Sequence, residues 1–262
     1  MLSQESQEQV RRVVELLRRG RSLLFVTGAG LSADSGLPTY RGIGGLYQEK
    51  MTDEGIPIEE ALSGWMMERR PEVSWRYIAQ IERACRGASF NRGHEVIAEM
   101  EGRFERVWVL TQNVDGFHRA AGSRNVIDIH GDVHGLCCTG CRYGRRVDDY
   151  SRLEIPPRCP ECGAILRPDV VLFGEMLPYE KAQRLSAELA RGFDVVFSVG
   201  TTSVFPYIAE PVLEAARLGV PSVEINPDET SVTPYVAIKI AARAAETLEA
   251  IWSGYRRVDR GT

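Results

Sequence analysis

The sequence predicts a doubly wound α/β protein: a parallel sheet covered by helices on both faces, with a smaller module built from two insertions. Three observations predict it. Continuous apolar runs recur along the chain, and each ends in small or polar residues. Helical patterns separate several of these runs. Two stretches break the rhythm, one mostly helical and one rich in Cys, Arg, Pro and Gly.

The elements follow in order. Val10, Val13, Val14 and Leu17 recur at helical spacing between Glu and Arg, as in an amphipathic helix lying over a sheet. Ser22-Leu23-Leu24-Phe25-Val26 then runs into Thr27-Gly28-Ala29-Gly30, the pattern of a strand buried on both faces. Similar runs lead from Arg106–Leu110 into Thr111-Gln112-Asn113 and from Val126–Ile129 into His130-Gly131. Two more lead from Val195–Val199 into Gly200-Thr201 and from Ser222–Ile225 into Asn226-Pro227-Asp228. Helical patterns cover Lys181–Arg191 and Ile208–Leu218. Ligands of such folds bind at the carboxyl ends of the strands, where these small and polar residues sit. The expected division gives residues 1–44, 95–131 and 169–254 to the large domain and 45–94 and 132–168 to the small one. Residues 255–262 are expected to form a loose polar tail.

With 262 residues and 44% hydrophobic composition, the chain is long enough to bury a core of this kind. A net charge of −4 and scattered Arg pairs argue against direct binding of nucleic acid by bulk electrostatics. No apolar run reaches the roughly 18 residues of a membrane span. The polar start, Ser3 to Glu8, lacks the features of a secretory signal, and Glu5, Glu8 and Glu15 oppose a transit peptide. A cytoplasmic, reducing location is therefore expected, where six cysteines point to metal or redox chemistry.

Cys138-x-x-Cys141 and Cys159-x-x-Cys162 stand 17 residues apart, each pair beside turn formers. Two such knuckles offer four thiolates to one tetrahedral Zn²⁺, with a disulfide or redox pair as the alternative. Cys137-x3-Cys141 is also a permitted knuckle; the matching spacing favours Cys138. Four cysteine ligands close the coordination sphere, so the ion is expected to be structural. Cys85 and Cys137 read as plain thiols.

Gly28-Ala29-Gly30 follows a buried strand, but the next glycine is Gly36, so G-x-G-x-x-G is absent. What survives is a strand-to-helix turn whose N–H groups suit a pyrophosphate. The loop from Ser32 to Gly42 carries Asp34, Tyr40 and Arg41. Arg41 suits a phosphate and Tyr40 a stacked ring; a surface loop with one ion pair fits the spacing equally well.

Taken together, Gly28 to Gly42, Thr111-Gln-Asn-Val-Asp115, His130-Gly131, the four cysteines, Phe173-Gly-Glu175, Gly200-Thr-Thr-Ser203 and Asn226-Pro-Asp228 resemble the sirtuin motifs in order. The resemblance spans roughly residues 22 to 250. It implies a Rossmann-like domain with a zinc-bearing small domain, and a cleft that NAD and an acylated lysine of a protein enter from opposite sides. NAD is consumed; the products are free lysine, nicotinamide and an acylated ADP-ribose. By the resemblance, Gly28, Ala29, Gly30 and Ser203 hold the pyrophosphate, and Tyr40 and Arg41 line the nicotinamide side. Asn226 and Ala244 flank the adenosine, while Ser32, Asp34, Gln112, Gly200, Thr201 and Asp228 complete the cofactor set. Asn113 positions the nicotinamide ribose, Asp115 recognises the carboxamide, and His130 is the base. Val171, Phe173, Gly174 and Glu175 form a wall that grips the peptide as an added strand.

Two departures matter. Tyr40 stands where many sirtuins have Phe, and Ala244-Ala245 where Ala-Gly is common. Relatives that prefer acidic acyl groups carry Tyr and Arg three apart on the helix before Asn-x-Gly-His; here Tyr77 is followed by Gln80. Neutral acyl groups are therefore the expectation, with a desuccinylase or demalonylase, an ADP-ribosyltransferase on the same scaffold and a non-catalytic NAD-sensing module as alternatives. His94, His118 and His134 read as ordinary structural histidines.

Overall fold

The computed structural model describes residues 2–37 and 51–259. Helix α1 (Gln4–Arg19) starts at Ser3, whose hydroxyl accepts the Ser6 N–H at 3.1 Å, and buries Val10, Val13, Val14 and Leu17. Strand β1 (Ser22–Thr27) runs directly into the short helix α2 (Ala29–Ala33). The first insertion contributes α3 (Ile58–Ala61), α4 (Gly64–Arg69) and α5 (Pro71–Cys85). The chain returns through α6 (Arg92–Glu101) to β2 (Arg106–Thr111), α7 (Phe117–Ala120) and β3 (Val126–Asp128). Strands β4 (Gly131–Cys138), β5 (Gly144–Arg146) and β6 (Leu166–Val170) form a separate antiparallel sheet, in the order β5-β4-β6. Then come α8 (Tyr179–Ala190), β7 (Val195–Val199), α9 (Pro206–Leu218), β8 (Ser222–Ile225), β9 (Ile238–Ile240) and α10 (Ala244–Asp259).

The large sheet is parallel throughout, in the order β3-β2-β1-β7-β8-β9. Counted within that sheet alone the order is 3-2-1-4-5-6, a dinucleotide-binding arrangement. It reverses between β1 and β7, and ligands of such sheets bind beyond the strand ends at that point. The register pairs Thr27 with both Thr111 and Val199, so β1, β2 and β7 end level and give the cleft a flat floor. Alternate strand residues supply opposite faces. Leu23, Phe25, Val107, Val109 and Phe197 pack under α1, α6 and α10, with the Phe25 and Phe197 rings stacked at 4.6 Å. Leu24, Val26, Leu110 and Val196 pack on the other face against α8 and α9 through Leu185, Ile208 and Val212.

A third core joins the two insertions. Ile58, Met66, Trp75 and Ile78 of the first pack against Leu136, Tyr150, Cys159 and Leu166 of the second. Trp75 is fully buried, and its indole N–H donates to the Leu166 carbonyl at 2.9 Å. That bond ties α5 to β6.

The C-terminal expectation needs correcting. Residues 255–259 are not a loose tail but the last turn of α10. Tyr255 stacks on Trp252 at 5.5 Å and meets Phe104, and Arg256 pairs with Glu99 and Glu249. A polar composition hid a helix whose apolar stripe ends late. Among the described residues no helix is long and apolar enough to cross a membrane.

Candidate active site

A cavity of about 730 Å³ opens at the switch point. The loop after β1 supplies Gly28, Ala29, Gly30, Ser32 and Asp34; the loop after β2 supplies Gln112, Asn113 and Asp115. Gly200 and Thr201 follow β7, Asn226 and Asp228 follow β8, and Ala244 opens α10. Thirteen of the sixteen residues expected around a nucleotide thus line one space. Tyr40 and Arg41 lie outside the described residues. Ser203 sits behind the lining residue Thr202, 1% exposed. Its backbone is left-handed (φ 53°), and its buried hydroxyl has no hydrogen-bond partner among the described residues. A buried hydroxyl on strained backbone beside the cavity is placed to meet a bound ligand.

The glycines act differently from the simplest expectation. Gly28 N–H donates to the Val199 carbonyl at 3.1 Å, and Gly30 N–H to the Gly200 carbonyl at 2.8 Å. Both amides are spent on joining β1 to β7. The absence of a side chain is what matters: a Cβ on Gly30 would lie 2.7 Å from the Gly200 Cα. The two loops can meet only as bare backbone. Asp34 is likewise committed, accepting from Arg243 Nε at 2.6 Å and from the Ala245 N–H at 2.8 Å at the start of α10.

Side-chain hydrogen bonds lock the remaining loops together. Asn113 donates to the Gly28 carbonyl and to the Ser32 hydroxyl, both at 3.0 Å, and Ser32 donates to Asp115 at 2.6 Å. Asp115 also accepts the Phe117 N–H at 2.9 Å. Burial pushes its carboxyl up against these two stabilising donors. Gln112 donates to the Thr201 hydroxyl at 2.7 Å, and Asn226 to the Thr201 carbonyl at 3.1 Å. Each of these side chains therefore presents a fixed face to the cavity.

His130 does not line this cavity. It follows β3, and Gly131 turns the chain into β4 with φ 94°; a Cβ there would fall on the Asp169 carbonyl. His130 Nδ1 donates to the Gln112 carbonyl at 3.2 Å, and Nε2 meets the Tyr207 hydroxyl at 2.6 Å. Gln112 thus touches the cavity with its side chain and the histidine with its backbone. Burial holds the imidazole below its usual range, so the ring is neutral at neutral pH. The His130 carbonyl accepts the Val171 N–H at 2.8 Å, which anchors the expected peptide wall. In that wall the Phe173 N–H and carbonyl pair with Leu62 and Gly64, and the Glu175 carboxylate binds Arg167 at 2.6 and 2.9 Å and the Leu172 N–H. Glu175 is therefore a brace and not a free contact. Gly174 (φ 81°) is open, with none of the described residues within 4 Å of a Cβ.

Two expectations about the acyl side fail. Tyr77 is 2% exposed and its hydroxyl binds Glu54, while Gln80 points to solvent. The face of α5 that reaches the cavity carries Ile81, Glu82 and Cys85 instead. Tyr77 lies on the same face as Ile81 but one turn short of the cavity, and Gln80 is turned 100° away from Ile81. His134, read from sequence as ordinary, lines the cavity with Nδ1 on Asp132 at 3.1 Å; that carboxylate raises its pKa. No short motif signals it. Tyr207 was also invisible in the sequence.

The four thiols of Cys138, Cys141, Cys159 and Cys162 lie within 4.8 Å of one another. The Cys138–Cys162 and Cys141–Cys159 sulfurs are 3.4 and 3.6 Å apart, close to the ~3.8 Å edge of a tetrahedron with Zn–S bonds of about 2.3 Å. Gly140 and Tyr143 N–H groups point at Cys138 and Cys141, as expected for thiolates. The donor set fits one structural zinc. Cys137 is outside it.

A switch-point cavity in a dinucleotide-type sheet, with a four-cysteine module packed beside it, defines a nucleotide-binding α/β protein with a structural metal site. The comparisons narrow this. The Sir2 family model matches residues 28–206, and the chain belongs to that family. An "NAD-dependent protein deacylase 2" of Pseudomonas aeruginosa is 47% identical over 252 residues, covering 95% of this chain and 98% of the relative. A Sir2 homologue in complex with NAD superposes with a TM-score of 0.84 at 34% identity, covering 95% of this chain and 94% of that one. A Sir2 structure holding a deacetylated p53 peptide and 3′-O-acetyl ADP-ribose has a TM-score of 0.79 at 26% identity, covering 93% of this chain and 97% of that one.

Proposed function

We propose that this protein removes acyl groups, acetyl or other neutral ones, from lysine side chains of proteins. NAD supplies the leaving group and is consumed. The observation that carries this reading is the state of His130. A carbonyl can only accept, so Nδ1 holds the ring proton and Nε2 keeps its lone pair. The base thus stands ready at the seam between the nucleotide cavity and the Val171–Glu175 edge, able to take a ribose hydroxyl proton. Asn113, held by Gly28 and Ser32, orients the ribose. Asp115 faces the nicotinamide carboxamide. Ala29 and Ser203 remain for the pyrophosphate, and Asn226 and Ala244 for the adenosine. The edge at Gly174 is where a substrate peptide adds as a strand. Catalysis here is positioning plus one proton transfer.

The relatives support the cofactor and the protein substrate. Neutral acyl preference is supported by the cavity wall at the end of α5, where Ile81 is apolar and the guanidinium of Arg86, which also lines the cavity, is already bound to Glu82 at 3.0 Å. The test is incubation with NAD and an acetylated peptide, with and without His130→Ala. Acylated ADP-ribose should form only with the intact histidine. Full deacetylation by the variant, or transfer of ADP-ribose to protein as the main product, would remove the proposal.

A further inference from the structure

We propose that Tyr207 occupies the proton-accepting nitrogen of His130 in the free enzyme and must give it up to the ribose hydroxyl, so that it weakens NAD binding without entering the chemistry. The inference rests on His130 being the base.

The argument is one of hydrogen-bond capacity. With its proton on Nδ1, the neutral ring has one lone pair in its plane, on Nε2. Tyr207 Oη lies 2.6 Å away, so the phenol O–H donates into that lone pair. A ribose hydroxyl that loses its proton to His130 needs the same lone pair. Two donors cannot share it, and one must leave.

The surroundings make this contact a built feature. Phe205 and Tyr207 stack with their planes 15° apart, and His130 meets both edge-on, at 86° and 83°. Tyr207 is the second residue of α9, directly after Pro206, so its backbone is held by the helix start. Release therefore proceeds by side-chain rotation and not by moving the helix. Burial raises the phenol pKa, which keeps it a donor at neutral pH.

A hydrogen bond present only in the free enzyme is lost equally in the bound ground state and in the transition state. Removing it lowers KM for NAD and leaves kcat unchanged. The expected gain is about 5-fold, the equivalent of about 1 kcal/mol.

The experiment is calorimetric titration of the zinc-loaded, full-length protein with ADP-ribose, together with steady-state kinetics in NAD. Tyr207→Phe should bind ADP-ribose about 5-fold more tightly and show KM reduced by a similar factor at unchanged kcat. In a His130→Ala background the same substitution should leave the Kd where it was. Unchanged affinity in Tyr207→Phe overturns the inference. So does a lower kcat at constant KM, which would make Tyr207 an anchor for the ring. If His130→Ala itself deacylates normally, it is the function that fails and not the contact. Should Tyr207→Phe not fold, the wild-type protein decides by NMR: the hydrogen-bonded Tyr207 hydroxyl proton must vanish when ADP-ribose is added, and its persistence overturns the inference.

Discussion

Lowering the pH from about 7.5 to about 5 charges an ordinary histidine but leaves His94 neutral while the protein stays folded. His94 is fully buried, and burial holds it down to about 4, against the opposing effects of Asp34 and Asn91. Its Nδ1 accepts the Asn91 N–H at 3.2 Å, so the neutral ring carries its proton on Nε2, which has no partner among the described residues. The unfolded chain has a value near 6.5 and binds the extra proton first. Stability from this residue is therefore complete above about pH 6.5 and is lost as the pH falls toward about 4. At about pH 5 the unfolded histidine is ~97% charged and the folded one ~10%, which amounts to a loss of about 2 kcal/mol relative to about pH 7.5. His118, 4.9 Å away ring to ring and also held well below its usual value by burial, adds to the loss in the same direction. The assay is urea unfolding of wild type and His94→Gln at the two pH values. Glutamine at this third helical position keeps the reciprocal cap with Asn91. The variant should lose about 2 kcal/mol less on acidification. An identical pH response in both proteins would refute the reasoning.

Three further outcomes follow. Because burial depresses the His130 pKa, the acid limb of kcat/KM for NAD should lie below about pH 6.5; a limb centred above that value would contradict a buried neutral base. One zinc per chain should be found by elemental analysis, and Cys159→Ser should abolish its retention, unfold the small module and abolish activity, because the module's core includes Cys159 itself. Trp75→Ala should cost about 3–5 kcal/mol by calorimetry, since it empties a fully buried site and leaves the Leu166 carbonyl unpaired.

Much of this molecule is legible in the sequence because its signals are local. An apolar run ending in Gly-Ala-Gly or His-Gly marks a buried strand and the turn after it, and two Cys-x-x-Cys knuckles carry their own geometry. The strands, the zinc ligands and most of the cavity lining follow from residues a few positions apart. The C-terminal turn is not legible in the sequence for the complementary reason: Tyr255 and Arg256 are held by Phe104 and Glu99, about 150 residues away.

Tertiary structure alone decided the rest. That the Gly28 and Gly30 amides are consumed by β7 depends on β7 lying beside β1. That Tyr77 meets Glu54 while Ile81, one turn further along the same face, reaches the cavity depends on where α5 lies along its axis beside the cleft. That Tyr207 closes on His130 depends on two segments 77 residues apart in the chain. Periodicity reports that a side chain is buried; it carries no information about which distant group buries it. Hydrogen-bond partners, tautomers and shifted pKa values belong to pairs, and the pairs exist only once the chain has folded.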